Sequence, residues 1–297
     1  MFLRRKKQNP VEANVETETW EQTDTAAAIE CAGRTDIGKR RLVNQDQFLI
    51  ADMQKSLHVQ QSSQPRMDKP LFGETMGKLF FLADGMGGAQ AGEVASQMAI
   101  QSMAQYLLNS MHWLFHPQQP EIEQFIEDLK TGALQSHQTV RDTADGDPNF
   151  RGMGTTLTVA YVMWPMLYVL HVGDSRCYIL RNGQLQLLTK DQTLAQHLFD
   201  CGQLKGAEFS ESPYHHVLLS AIGAEGDPNA LVYKTRMLPG DRIMLCSDGV
   251  NAHLEDAEIE TILSEGASSD AICQTLIETA NERGGHDNIT AIVGIAS

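Results

Sequence analysis

Short apolar runs bounded by polar residues or glycine mark strands at 47–51 (QFLIA) and 79–83 (LFFLA). A helix is expected over 91–108, where Val94, Met98, Met103 and Leu107 are apolar positions among Ala and Gln. It recurs over 121–140 through Ile122, Phe125, Ile126, Leu129 and Ala133, with glutamate in the first turn. Two β-rich runs, 155–163 and 166–172, flank Trp164-Pro165 and predict a hairpin. A second hairpin, 176–180 with 184–188, turns at Asn182-Gly183, the strongest short hairpin dipeptide. Residues 242–246 read as a buried strand. Residues 256–263 and 269–280 read as helices, the latter with Ser269 as N-cap, and 289–295 as the last strand.

Hairpins fill the middle of the chain, while helices come in pairs at about 91–140 and 256–283. A parallel doubly wound sheet would alternate strand and helix instead. The pattern predicts an α+β architecture of antiparallel sheets with helices packed outside. Residues 1–28 are polar and aperiodic, and are expected to form a flexible extension to one domain over 29–297. A polar stretch at about 53–78 predicts an inserted loop or long hairpin tip, and another around His116–Pro120 separates two helices.

The 42% apolar content supplies a sizeable core. A net charge of −15 disfavours nucleic acid and anionic membrane as partners. It suits cationic partners, or carboxylates that hold metal ions. Cys31, Cys177, Cys201, Cys246 and Cys273 are odd in number, widely spaced and without a CxxC pair. Buried thiols in a reducing compartment are expected, with neither a disulfide framework nor a zinc site. The basic first residues lack a following apolar run, so a signal peptide is not expected. The longest apolar run, 159–170, is broken by Pro165 and too short for a membrane span. A cytoplasmic protein, without stable membrane insertion, is expected.

Several aspartates sit at predicted strand ends. Asp84 follows LFFLA and precedes Gly85-Met86-Gly87-Gly88. Asp174 follows LYVLHVG, Asp248 follows RIMLCS, Asp287 precedes the last strand, and Asp46 precedes QFLIA. Any one of them alone is an ordinary turn residue. As a set they would repel one another unless hard divalent cations with oxygen ligands lay between them.

In order, the chain carries Arg41-x-x-Asn44-x-Asp46, Ala83-Asp84-Gly85-Met86-Gly87-Gly88, Gly152-Met153-Gly154-Thr155-Thr156 and His171-Val172-Gly173-Asp174-Ser175-Arg176. Leu188-Thr189-x-Asp191, Ser247-Asp248-Gly249 and Asp287-Asn288-Ile289-Thr290 follow. This series resembles the metal-dependent protein phosphatase family (PPM type, the type 2C serine/threonine phosphatases), in its bacterial branch, over about residues 30–297. The resemblance implies a four-layer αββα sandwich, two antiparallel β-sheets packed face to face and flanked by helix pairs. It implies two Mn²⁺ or Mg²⁺ ions with a third, weaker site. Asp84 would bridge the two metals, the Gly85 carbonyl would bind the second, and Asp248 and Asp287 would complete the first. Asp174, with Asp248, would help hold the third. Asp46 would act through metal-bound water, and Arg41 would bind the substrate phosphate.

The implied reaction is direct attack of a hydroxide bridging the metals on phosphoserine or phosphothreonine. The implied partners are phosphoproteins, including a serine/threonine kinase and its substrates, met by a monomer. Three positions depart from the pattern. Gln45 replaces a frequent acidic residue and implies a weaker second metal. Met86 stands where animal members carry a histidine. Ser220 replaces a residue often basic in relatives, near a flap placed at about 192–222. His171 reads as a core histidine, and His215-His216 as a flap pair without a metal role. Two other readings compete: a pseudophosphatase that binds phosphoproteins without hydrolysis, and a phosphatase for small phosphate esters. The intact set of aspartates argues against the first.

Overall fold

A computed structural model describes residues 28–57, 71–88, 91–110 and 119–297. The first sheet holds, in spatial order, β1 (Ile29–Asp36), β11 (Ile289–Ala296), β10 (Arg242–Cys246), β7 (Arg176–Arg181) and β8 (Gln184–Leu187). The second holds β2 (Asp46–Leu57), β3 (Leu71–Met86), β5 (Leu157–Met163), β6 (Met166–Val172) and β9 (Leu231–Arg236), with the short β4 (Gly154–Thr155) on β3. Every pairing is antiparallel. Helices α1 (Ala91–Ser110) and α2 (Gln119–Gly146) cover the second sheet, and α6 (Asp256–Glu265) and α7 (Ser269–Glu282) cover the first.

Strand period explains the layering. Along β3, Leu79, Phe81 and Ala83 face the helix layer and pack with Met103, Leu107 and Phe125. Phe80 and Leu82 point the other way, into an inter-sheet core with Ile179, Ile243, Leu245 and Ile292 of the first sheet. Antiparallel sheets often leave one face to water and then alternate apolar with polar residues. Here both faces are covered, so LFFLA reads as an unbroken apolar run. Emptying either face, as in Phe80→Ala, would cost about 3–5 kcal/mol. The outer core of the first sheet joins Tyr178, Met244 and Val293 to Ile259, Ile272 and Leu276.

The predicted hairpins form. The Asn182-Gly183 turn has φ +52° and +76°, the primed geometry that matches strand twist. Trp164-Pro165 is a cis peptide between β5 and β6. Residues 53–57 and 71–78, expected within the inserted loop or hairpin tip, are paired strand. The extension over 1–27, the tip over 58–70 and the break near His116–Pro117 lie outside the described residues.

The helix α7 starts at Ser269 as expected, but its N-cap lies one residue earlier. Its N-cap is Ser268, whose Oγ accepts from Ala271 N at 3.2 Å. Ser269 instead donates its N–H and hydroxyl to Glu30 Oε1, each at 2.8 Å, fastening the helix to edge strand β1. All five thiols are free. Cys177, Cys246 and Cys273 are buried, as expected, but Cys31 is half-buried and Cys201 is exposed after the short helix α3 (Leu194–Asp200). With α4 (Ala207–Ser210), α3 forms the flap segment, closed by a Phe199–Phe209–His215 ring cluster. Among the described residues, no helix is long and apolar enough to cross a membrane.

Candidate active site

The two sheets bring their ends together at one edge. Asp84 and Gly85 close β3, and Asp46 opens β2 beside them. Asp174 lies in the turn from β6 to β7, and Asp248 opens the short α5 (Asp248–Asn251) just past β10. Asp287 precedes β11. Strand ends fix the backbone while leaving carboxylate oxygens free. A cavity of about 240 Å³ results, lined by Arg41, Gln45, Asp84, Gly85, Met86, Thr156, Asp174, His216, Asp248 and Asp287 among others. Of the residues expected to hold metal or substrate, Arg41, Asp84, Gly85, Asp174, Asp248 and Asp287 line it, and Asp46 is buried behind the wall.

The backbone around the cavity is held by side chains. Thr156 Oγ1 accepts from Asp84 N at 2.9 Å and meets Ser175 Oγ at 2.8 Å, linking the Asp84 and Asp174 turns. Asn288 clasps the opposite side. Its Oδ1 accepts from Gln45 N at 2.8 Å, and its Nδ2 donates to Ile37 O at 3.0 Å and Val43 O at 3.1 Å. Asp46 Oδ2 accepts from Ser247 Oγ at 2.7 Å and Thr290 Oγ1 at 2.6 Å. Gly85 lets β3 approach the start of α1: a Cβ there would stand 2.1 Å from Gly92 O. Gln45 turns its Nε2 to Gly88 O at 3.2 Å.

The electrostatics are those of crowded carboxylates. Desolvation, then the charges of Asp46, Asp248, Asp174 and Asp287, push the Asp84 carboxyl well above its usual pKa. Burial and then Asp248 push Asp174 up to about 8. Burial raises Asp46 to about 7 against its two hydroxyl donors. Two basic side chains face the group. Arg41 Nη2 donates to Asp287 Oδ2 at 2.6 Å, so the guanidinium implied for substrate phosphate rests here on a carboxylate. The Asp248 carboxylate, 3.9 Å from His216 Nδ1, holds that imidazole above its ordinary pKa.

No three His, Cys, Asp or Glu side chains among the described residues gather tightly enough to cage a metal by themselves. Mg²⁺-like ions seldom need such a cage, since one or two carboxylates and several waters suffice. The donor set fits an ion of this kind. Asp46 Oδ1 and Asp248 Oδ1 are buried acceptors without a hydrogen-bond partner. The ligands on offer are hard oxygens. A bound cation would also reverse the upward pKa shifts, which otherwise leave the carboxylates in mutual repulsion.

Several residues of this site escaped the sequence reading. The sequence marks His216 only as part of a flap pair, yet it lines the cavity. Thr156, Ser175, Ser247, Asn288 and Thr290 sat inside the quoted motifs without an assigned role. Ser220 is away from the cavity wall; its buried Oγ accepts from Asn229 N at 2.9 Å. Asp191 takes a bidentate pair from Arg176, at 3.0 Å from Nε and 2.8 Å from Nη2. His171 is a core histidine: its Nδ1 meets Thr158 Oγ1 at 3.0 Å, and burial lowers its pKa to about 4.

Known proteins resemble this chain over most of its length. The Protein phosphatase 2C family profile matches residues 57–293. The serine/threonine phosphatase stp of Listeria welshimeri is 32% identical over 215 residues, 72% of this chain and 83% of that protein. A Streptococcus agalactiae serine/threonine phosphatase structure superposes with a TM-score of 0.75 at 28% identity, covering 91% of this chain and 100% of that one. The catalytic domain of the serine/threonine protein phosphatase PstP, in complex with 2 manganese ions, does so with a TM-score of 0.70 at 28% identity, covering 90% and 98%. The chain belongs to the protein phosphatase 2C family, the PPM-type serine/threonine phosphatases.

Proposed function

We propose that this phosphatase hydrolyses phosphoserine and phosphothreonine in protein segments, with Mn²⁺ or Mg²⁺ held at the cavity of Asp84, Asp174, Asp248 and Asp287. The observation that carries the reading is the convergence of these four aspartates on one 240 Å³ cavity with Arg41 at its wall. Asp84 and the Gly85 carbonyl would serve two ions, Asp248 and Asp287 the first, and Asp174 with Asp248 a third. When bound, such ions act as Lewis acids and lower the pKa of water enough to supply a nucleophile near neutral pH.

The remaining work falls to the chain's own residues. Arg41 presents a planar donor fork suited to phosphoryl oxygens and stabilises charge there. Asp46 commits Oδ2 to Ser247 and Thr290, which leaves Oδ1 to accept a hydrogen bond from water in the site. Met86 in the wall cannot donate a proton, so the leaving serine or threonine oxygen takes one from water or another group. The deep thiols Cys177 and Cys246 have pKa values raised by burial and are no nucleophiles.

The protein kinases of the same cell, and their targets, are the proposed source of substrates. The test is turnover of a phosphothreonine peptide and of p-nitrophenyl phosphate with Mn²⁺. Hydrolysis of the small ester alone would favour the small-ester reading. Binding of phosphopeptide without turnover would favour the pseudophosphatase reading.

A further inference from the structure

The loop joining β1 to β2 carries Arg41 to the cavity, and with it two cations that the chemistry above leaves unused. Lys39 and Arg40 are exposed. Among the described residues, no ion pair or hydrogen bond engages either side chain. On the other side of Arg41, Leu42 is 93% exposed and apolar, so the basic lip is one-sided.

The backbone that presents the pair is pinned. Asp36 Oδ1 accepts from Gly38 N at 2.8 Å and from Asn281 Nδ2 at 3.0 Å. Lys39 N donates to Gly285 O at 2.7 Å. Asn288 Nδ2 staples the loop at Ile37 and Val43. Gly38 has φ +77°, and a Cβ there would stand 2.1 Å from Asp287 O. The loop is therefore pressed onto the segment that bears Asp287, and the points where both side chains leave it are set beforehand.

Solvated cations are ordinary on a surface; their place is what matters here. In a chain of net charge −15, they stand beside the one arginine on the cavity wall. The Cα atoms of Lys39 and Arg40 lie within about 8 and 4 Å of that of Arg41, at 3.8 Å per residue. An extended peptide advances about 3.3–3.6 Å per residue, so positions about one to three residues from a phosphoresidue on Arg41 reach this lip.

We infer that Lys39 and Arg40 select phosphoserine and phosphothreonine segments with an aspartate or glutamate close to the phosphoresidue. This rests on the phosphatase reading above. The contacts are exposed and modest, so the preference is set by charge and is sensitive to salt.

The test compares kcat/KM for two phosphothreonine peptides that differ only in glutamate or glutamine flanks, with p-nitrophenyl phosphate alongside. At about 0.01 M ionic strength the glutamate peptide is expected to be favoured about three- to tenfold, as two exposed pairs allow. At about 1 M, where screening acts within about 3 Å, the ratio should fall towards one. K39A/R40A should lose the preference, and K39E/R40E should reverse it; turnover of the glutamine peptide by each variant identifies a folded enzyme. A ratio near one in the parent with both peptides turned over, or a preference that survives K39A/R40A, overturns the inference alone. Turnover of the small ester with neither peptide cleaved overturns the protein-phosphatase reading and this inference together.

Discussion

Asp46 and Asp84 stand directly opposite each other in the register of β2 and β3. Like charges so placed destabilise a strand pair. Asp46 is 1% exposed, and Asp84 has its pKa raised by desolvation first and by Asp46 next. The fold answers part of this locally: Ser247 and Thr290 hold one oxygen of Asp46 across more than 200 residues of chain. It supplies nothing comparable to Asp84. Local rules broken without local compensation mark a functional site, and here the missing compensation has the chemistry of a divalent cation.

The hydroxyl pair on Asp46 can be tested directly. Thr290→Val keeps the side chain's shape and removes the 2.6 Å donor. Loss of a buried hydrogen bond to a charged group predicts a loss of about 1–3 kcal/mol in urea unfolding. Turnover should fall as well, because Asp46 would lose its fixed orientation. Unchanged stability and turnover would show that Ser247 holds Asp46 unaided.

Arg41 should behave differently. Its side chain is half exposed, and exposed pairs contribute only about 0–1 kcal/mol. Arg41→Ala should shift the unfolding free energy by less than about 1 kcal/mol. It should raise KM for a phosphopeptide about tenfold or more, the equivalent of about 1.4 kcal/mol of binding. A large stability loss with KM unchanged would make Arg41 a clamp on Asp287 instead.

Removing one carboxylate should stabilise the metal-free protein, and only at higher pH. A carboxyl whose folded pKa is raised contributes its full stability below the unfolded value near 3.8 and loses it as pH rises through the folded value. With EDTA, Asp84→Asn should therefore raise Tm by a few degrees at about pH 8 and give no gain at about pH 4, on a scale of about 2–4 °C per kcal/mol. With Mn²⁺ the sign should reverse, since the variant forfeits ligand-linked stabilisation. A Tm gain independent of pH would show that the shift at Asp84 is not electrostatic.

Close approach at Gly85 makes a steric prediction. A Cβ 2.1 Å from the Gly92 carbonyl oxygen cannot be absorbed by a side-chain rotation. Gly85→Ala should cost more than about 2 kcal/mol, at the upper range for overpacking. Thermal unfolding reads this, and an unchanged Tm would show that β3 and α1 can separate freely.

Much of the architecture was legible because both faces of each sheet are covered. LFFLA and the β5–β6 runs stand out as apolar blocks for that reason. Strand β1 was not legible: Glu30 and Arg34 break its pattern, and both are spent on α7, at Ser269 and Asp270. Edge strand β9 hides for a similar reason, with Lys234 and Arg236 at exposed positions. The aspartates were visible because each follows or precedes an apolar strand. His216 carried no local signal, since only the folding of the flap past Thr193 and Leu218 brings it to the cavity. The serine and threonine donors were similarly silent, because a hydroxyl that holds a distant backbone or carboxylate looks like any strand or turn residue.

The most direct test of the central claim is hydrolysis of a phosphothreonine peptide with Mn²⁺, with EDTA, and by Asp248→Asn. The account predicts turnover that needs the metal, stops with EDTA and is lost in the variant while the fold is kept. Turnover that persists in EDTA, or in Asp248→Asn at the parent rate, would contradict it.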